Sequence, residues 1–148
     1  MNIYLSSDHA GFALKNHLVE YLTGLGYTAI DKGPFSEDPA DDYPDMVALV
    51  TNEVLKEPNS VKGIVLGGSG QGEAIAANRF NGIRAVVYYG GSLDVIKLSR
   101  EHNDANVLSL GARLISNTEA EEAVRVWLET SFSKEERHSR RIAKLDNR

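Results

Sequence analysis

The chain has 148 residues, 42% of them hydrophobic, with 16 Lys and Arg against 21 Asp and Glu for a formal net charge of −5. That size suits a single domain spanning 1–148 around one core, and the acidic balance excludes nucleic acid, whose phosphates call for clustered Lys and Arg. Absence of cysteine excludes disulfides and thiolate chemistry, while the lack of a signal-peptide pattern or of an apolar run near ~20 residues excludes a membrane partner and makes the cytoplasm the expected compartment.

Along the chain, short β-rich runs alternate with longer helical patterns. Residues 2–6, 27–31, 62–66, 83–88 and 106–110 read as strands. Between them, 12–25, 43–56, 73–80 and 93–101 carry helical spacing, and 119–130 and 135–145 add two helices at the end. Leu14, Leu18, Tyr21, Leu22 and Leu25 share one face of the first helix, which Gly24 and Gly26 close. His17 in this helix is expected to face solvent, and Trp127 to lie in the core. Strands apolar on both faces, alternating with helices, predict an α/β fold: a Rossmann-like three-layer α/β/α sandwich with a five-stranded parallel sheet. The polar stretch 32–42 is expected to form a surface loop near a site.

In such a fold, ligands bind beyond the carboxyl ends of the strands. Those ends read Ser7-Asp8-His9-Ala10-Gly11, Gly67-Gly68-Ser69-Gly70-Gln71-Gly72-Glu73, Gly90-Gly91 and Gly111-Ala112-Arg113. The glycine-rich loop can bring backbone N–H groups close to a phosphate, a carboxylate or a developing oxyanion. A plain strand–helix turn is the alternative, disfavoured by four glycines in six residues. The loop has the glycine spacing of a Walker A motif, but Glu73 stands where its lysine belongs and would repel a nucleotide's phosphates. The dinucleotide fingerprint also fails, lacking its third glycine and following the wrong strand.

Glu73 falls in the first turn of the next helix. It is either a base set beside oxyanion donors or an acid that merely complements the helix dipole. Asp8-His9 and His102-Asn103 are ambiguous as dipeptides. Arg137 and Arg141, at i and i+4, can clamp a phosphate or belong to a solvated surface. No His, Asp or Glu cluster has metal-ligand spacing, so no metal is expected.

Taken in order, Ser7-Asp8-His9-Ala10-Gly11-Phe12 with Lys15, Asp31-Lys32-Gly33, Asp42-Tyr43-Pro44 and the glycine loop through Glu73 resemble type B ribose-5-phosphate isomerases. So do Ile75-Ala76-Ala77-Asn78-Arg79, Gly82-Ile83-Arg84-Ala85, Ser99-Arg100-Glu101-His102-Asn103-Asp104, Gly111-Ala112-Arg113 and Arg137-His138 with Arg141. The resemblance spans nearly the whole chain, with a looser likeness to galactose-6-phosphate isomerase subunits. It implies an aldose–ketose isomerase that takes a sugar phosphate through a cis-enediolate without metal or cofactor. It assigns ring opening to Asp8 and His102, the enediolate oxygen to Gly68, Gly70, Gln71 and Gly72, and proton movement between oxygens to Ser69. His9, Arg113, Arg137 and Arg141 would hold phosphate, and Tyr43 and Asn103 sugar hydroxyls. Many family members place a cysteine base where Gly67 stands; this chain resembles the subgroup with a glutamate at the position of Glu73. The family further implies at least a homodimer, with a tetramer open, whose sites take His102, Asn103 and Arg113 from the neighbouring copy. A six-carbon sugar phosphate remains an alternative substrate. A non-catalytic sugar-phosphate sensor is the other alternative, against which the combination of Asp8, Ser69, Glu73 and His102 speaks.

Overall fold

The computed structural model describes residues 1–147. Five parallel strands, β1 (Asn2–Ser7), β2 (Thr28–Asp31), β3 (Val61–Gly67), β4 (Ala85–Tyr88) and β5 (Val107–Gly111), form one sheet in the order β2-β1-β3-β5-β4. Helices α1 (Phe12–Gly24) and α5 (Asn117–Glu129) cover one face with α4 (Asp94–Glu101), and α2 (Tyr43–Lys56) and α3 (Gln71–Ala77) cover the other. The sheet is thereby buried on both sides, as apolar parallel strands require. Trp127 is fully buried between α5 and the sheet, as expected.

The expected strands and helices are all present, with shifted ends. Ile83 and Arg84 lie outside β4, because Ile83 N–H closes a turn on the Phe80 carbonyl and Arg84 N–H donates to the Asn106 side chain. The helix expected over 73–80 is α3, which starts at Gln71 and ends at Ala77. α5 begins at Asn117, because Ser116 and Glu119 form a capping box. His17 is half-buried rather than solvent-facing: its Nε2 lies 2.6 Å from Glu121 on α5. A single 3-10 turn, His9–Gly11, which the periodicity does not signal, links β1 to α1. The final helix, α6 (Glu136–Asp146), lies against the end of α4: Ser133 N–H donates to the Glu101 carbonyl, and Arg84 binds Asp146.

Gly63 sets how closely α2 approaches the sheet. A Cβ there would lie 2.5 Å from Val50 Cγ1 and 3.1 Å from Val54 Cγ2. Gly63→Ala is therefore expected to destabilise the fold by about 1–3 kcal/mol, the range for overpacking a core, read as a lower midpoint in urea unfolding.

Chain direction reverses between β1 and β3: β2 lies outward from β1, and the later strands lie on the far side of β3. β1 and β3 stay paired to their carboxyl ends, but the connections leaving them run to opposite faces of the sheet, to α1 and to α3, and a crevice opens between them at this switch point.

Candidate active site

The crevice is real: a cleft of about 410 Å³ lined by Asp8, Tyr43, Gly68, Ser69, Gly72, Glu73, Arg113 and Leu114. Asp8 arrives from β1, and its Oδ1 accepts from Gly11 N–H at 3.1 Å, capping the turn that starts α1. Tyr43 opens α2, whose first turn is tied to β1 by Ser6 Oγ donating to the Met46 carbonyl at 2.7 Å. Its ring lies over Gly72, where a Cβ would come 2.8 Å from Cζ.

The loop from Gly68 to Gly72 is pinned from beneath. Gly70 is left-handed, with φ +76, and its carbonyl accepts from Ser109 Oγ on β5 at 2.6 Å. Any side chain at 70 would strain that conformation and meet the Leu110 carbonyl carbon at 2.9 Å. Ser69 Oγ accepts from Gln71 N–H at 3.4 Å and is exposed at the rim.

Glu73 sits in the first turn of α3 with only 4% of its surface exposed. Burial pushes its carboxyl above the usual carboxylate range; its own backbone N–H pulls the other way, and the charge of Asp8 adds a further rise. A Glu that only complemented the helix dipole would be solvated, whereas Glu73 is buried in the cleft. The carboxylate occupies the space above Gly67, and a Cβ at that position would collide with it.

Arg113 follows β5 and crosses the glycine loop: a Cβ on Gly68 would lie 3.3 Å from its Nη1. It thus lines the cleft of the same chain that carries Glu73, which corrects the expectation that it comes from a neighbouring copy. His9 stands beside the cleft, its Nδ1 2.7 Å from Asp41 Oδ1, and that bond is the main cause raising the imidazole above its ordinary pKa. Asp41 belongs to the 32–42 loop, so this loop does reach the site. No periodicity or motif marks Asp41 or Leu114; only their positions before α2 and after Arg113 hint at them.

Gln71 turns its exposed side chain to an adjacent cleft with Ile75 and Asn78. His102, Asn103, Arg137 and Arg141 lie elsewhere. His102 and Asn103 end α4 and precede β5, whereas Arg113 follows β5. At ~3.3 Å per residue, the strand alone separates these two ends by roughly 15 Å. His102 is exposed and edge-on to His138, with ring centroids 4.2 Å apart; His138, on α6, is 2% exposed. Arg137 and Arg141 are exposed, Arg137 Nε donating to Glu135 at 2.8 Å, and no acidic partner of Arg141 lies within 4 Å among the described residues. One chain therefore places the candidate residues in two groups at opposite ends of its strands: Asp8, Ser69, Glu73 and Arg113 at one, His102, Asn103, Arg137 and Arg141 at the other. Among the described residues, no group of three or more His, Asp or Glu is arranged to hold a metal ion, and no helix is long and apolar enough to cross a membrane.

Residues 3–145 match the model of the Ribose/Galactose Isomerase family. The chain is 43% identical over 142 residues to ribose-5-phosphate isomerase B of Mycolicibacterium paratuberculosis, covering 96% of this chain and 87% of the relative. Its structure superposes with TM-score 0.94 on ribose-5-phosphate isomerase B of Mycoplasma genitalium with bound ribulose-5-phosphate, at 36% identity over 99% of this chain and 94% of the other. With the ribose 5-phosphate isomerase of Thermotoga maritima the TM-score is 0.91, at 41% identity over 99% and 98% of the two chains.

Proposed function

The chain belongs to the ribose/galactose isomerase family, and we propose that it interconverts ribose 5-phosphate and ribulose 5-phosphate by moving one proton between C1 and C2. The carrying observation is Glu73: a buried carboxylate in the first turn of a helix, beside a loop of glycine N–H groups. Glu73 takes the proton from C2 of the open-chain aldose, which leaves an enediolate with negative charge on O1. The N–H groups of Gly68, Gly70, Gln71 and Gly72 stabilise that charge as it forms. Ser69 relays the O2 hydroxyl proton to O1, and Glu73 returns its proton to C1, giving the ketose. The raised carboxyl suits this two-way role, since a base that must also act as an acid works best with a pKa near the operating pH.

Asp8 and His102 open the furanose ring, Tyr43 and Asn103 bind hydroxyls, and His9, Arg113, Arg137 and Arg141 hold phosphate. The separation of the two half-sites within one chain supports an assembly of at least two copies, in which His102, Asn103, Arg137 and Arg141 of one copy complete the cleft of the other. Exposed Ile75, Val95, Leu98 and Leu145 supply apolar surface for such an interface. The same reading puts the enzyme in the cytoplasm, where phosphorylated sugars are retained.

A coupled assay with ribose 5-phosphate and allose 6-phosphate at equal concentration tests the substrate. Turnover of the pentose phosphate should dominate, in keeping with relatives named for ribose 5-phosphate. Faster turnover of the six-carbon substrate would overturn the assignment. Binding of both without turnover would make the protein a sensor.

A further inference from the structure

Asp41 is an acid beside a site meant for a dianion, which calls for an explanation. Its side chain is only 6% exposed, and Oδ2 is buried without a partner among the described residues. Among the described residues its one side-chain hydrogen bond is at Oδ1, which accepts from His9 Nδ1, 2.7 Å away and 32 residues distant in sequence. The loop that carries it is fastened at its other end. Lys15, fully buried, bonds Asp31 Oδ2 at 2.6 Å, while Asp31 Oδ1 accepts from Gly33 N–H at 2.8 Å. The Asp38 carbonyl then accepts from Asp41 N–H at 3.1 Å, closing a turn just before α2. A carboxylate drawn out of water with one partner needs that partner charged, because an ordinary neutral hydrogen bond does not offset the burial.

We propose that Asp41 is a positioning residue for substrate phosphate: it grips His9 by Nδ1, so that Nε2–H faces the phosphate as a charged donor. This rests on the reading of His9 as a phosphate ligand. The charged groups around His9 are Asp8 from its own turn, Asp41 from the loop after β2 and Arg113 from the loop after β5. Asp41 and Asp8 favour the imidazolium, with the Asp41 bond the largest cause, and Arg113 opposes it. The Asp41–His9 pair carries no net charge, so it does not repel the dianion. It replaces an imidazole that would be mostly neutral and free to rotate at physiological pH with one that is aimed and holds its proton to a higher pH.

Without Asp41 the imidazole returns toward its ordinary pKa of ~6.5 and loses its proton as pH rises through that value. KM for ribose 5-phosphate would be measured from about pH 7 to 8.5, where the substrate phosphate, with a second pKa near 6, stays a dianion. Wild-type KM should begin to rise at a higher pH than the variant's, because the His9 pKa is raised. Asp41→Asn should exceed wild type about threefold at pH 7, where an imidazole of pKa ~6.5 is already mostly neutral, and up to about tenfold as pH rises, with most of the effect in KM. The NMR titration midpoint of the His9 ring should fall in the same variant. His9→Ala should show raised KM at every pH. A pH-independent rise in Asp41→Asn would mean a merely structural role and overturn the inference. So would an unchanged Asp41→Asn alongside an impaired His9→Ala. If His9→Ala itself keeps normal KM, the reading of His9 as a phosphate ligand fails first, and the role of Asp41 with it.

Discussion

Glu73→Gln should lower kcat by about 10²–10⁴, the usual contribution of a positioned base. KM should change little, because the group acts on the transition state rather than on ground-state binding. The fold supplies its own control. A buried carboxyl with a raised pKa contributes stability below its unfolded pKa and loses that contribution as pH rises through its folded pKa. At neutral pH the ionised group is therefore a burden, and the Gln variant should unfold at a temperature no lower than the wild type. Exchange of solvent deuterium into C2 should fall in step with kcat. Wild-type turnover should also decline with acid at a higher pH than an ordinary carboxylate, near 4.3, would give. Near-normal exchange in the Gln variant would transfer the role to another group, and Asp8, the other acid lining the cleft, would be examined next.

The second large effect is a recovery. Glu73→Gln chains and His102→Ala chains should each be nearly inactive alone, yet regain activity when their subunits are exchanged. The reason lies in the topology: Glu73 follows β3 at the carboxyl edge of the sheet, and His102 precedes β5 at the opposite edge. In a symmetric dimer, half the pairs in an equal mixture are mixed, and each mixed pair has one intact site, giving about a quarter of wild-type activity. Pairing Glu73→Gln with Arg141→Ala should recover likewise, since α6 is fastened to the end of α4 and travels with His102. Pairing Glu73→Gln with an Arg113 variant should not, because both residues line one chain's cleft. Mass spectrometry would confirm the exchange; silence from verified hybrids would mean that each chain works alone.

Much of this molecule was legible in its residues. Apolar runs such as 62–66, set between helical patterns, were enough for the parallel sheet, and the glycine density after β3 was enough for the ligand-facing loop. Those signals are local, because periodicity and backbone freedom belong to a few consecutive residues. What escaped was long-range. The reach of Asp41 to His9 spans 32 positions and has no motif, and the own-chain position of Arg113 depends on where β5 lies beside β3. Glu73 was readable as a helix-start acid, but its burial depends on the bare Gly67 beneath its carboxylate and on the packing around α3 rather than on its own turn.

The close approach of Glu73 to Gly67 also bears on descent. One volume of space serves two positions in the chain, and only one of them can fill it. A side chain at 67 would meet the carboxylate where it now sits, so the flexible end of Glu73 would have to swing away to admit it. Losing glycine at 67 thus displaces the acid from its place, and the benefit of either residue depends on the other. Glycine at 67 together with glutamate at 73 should therefore be inherited as a unit, a binary character that sorts whole branches of sequences rather than drifting within them.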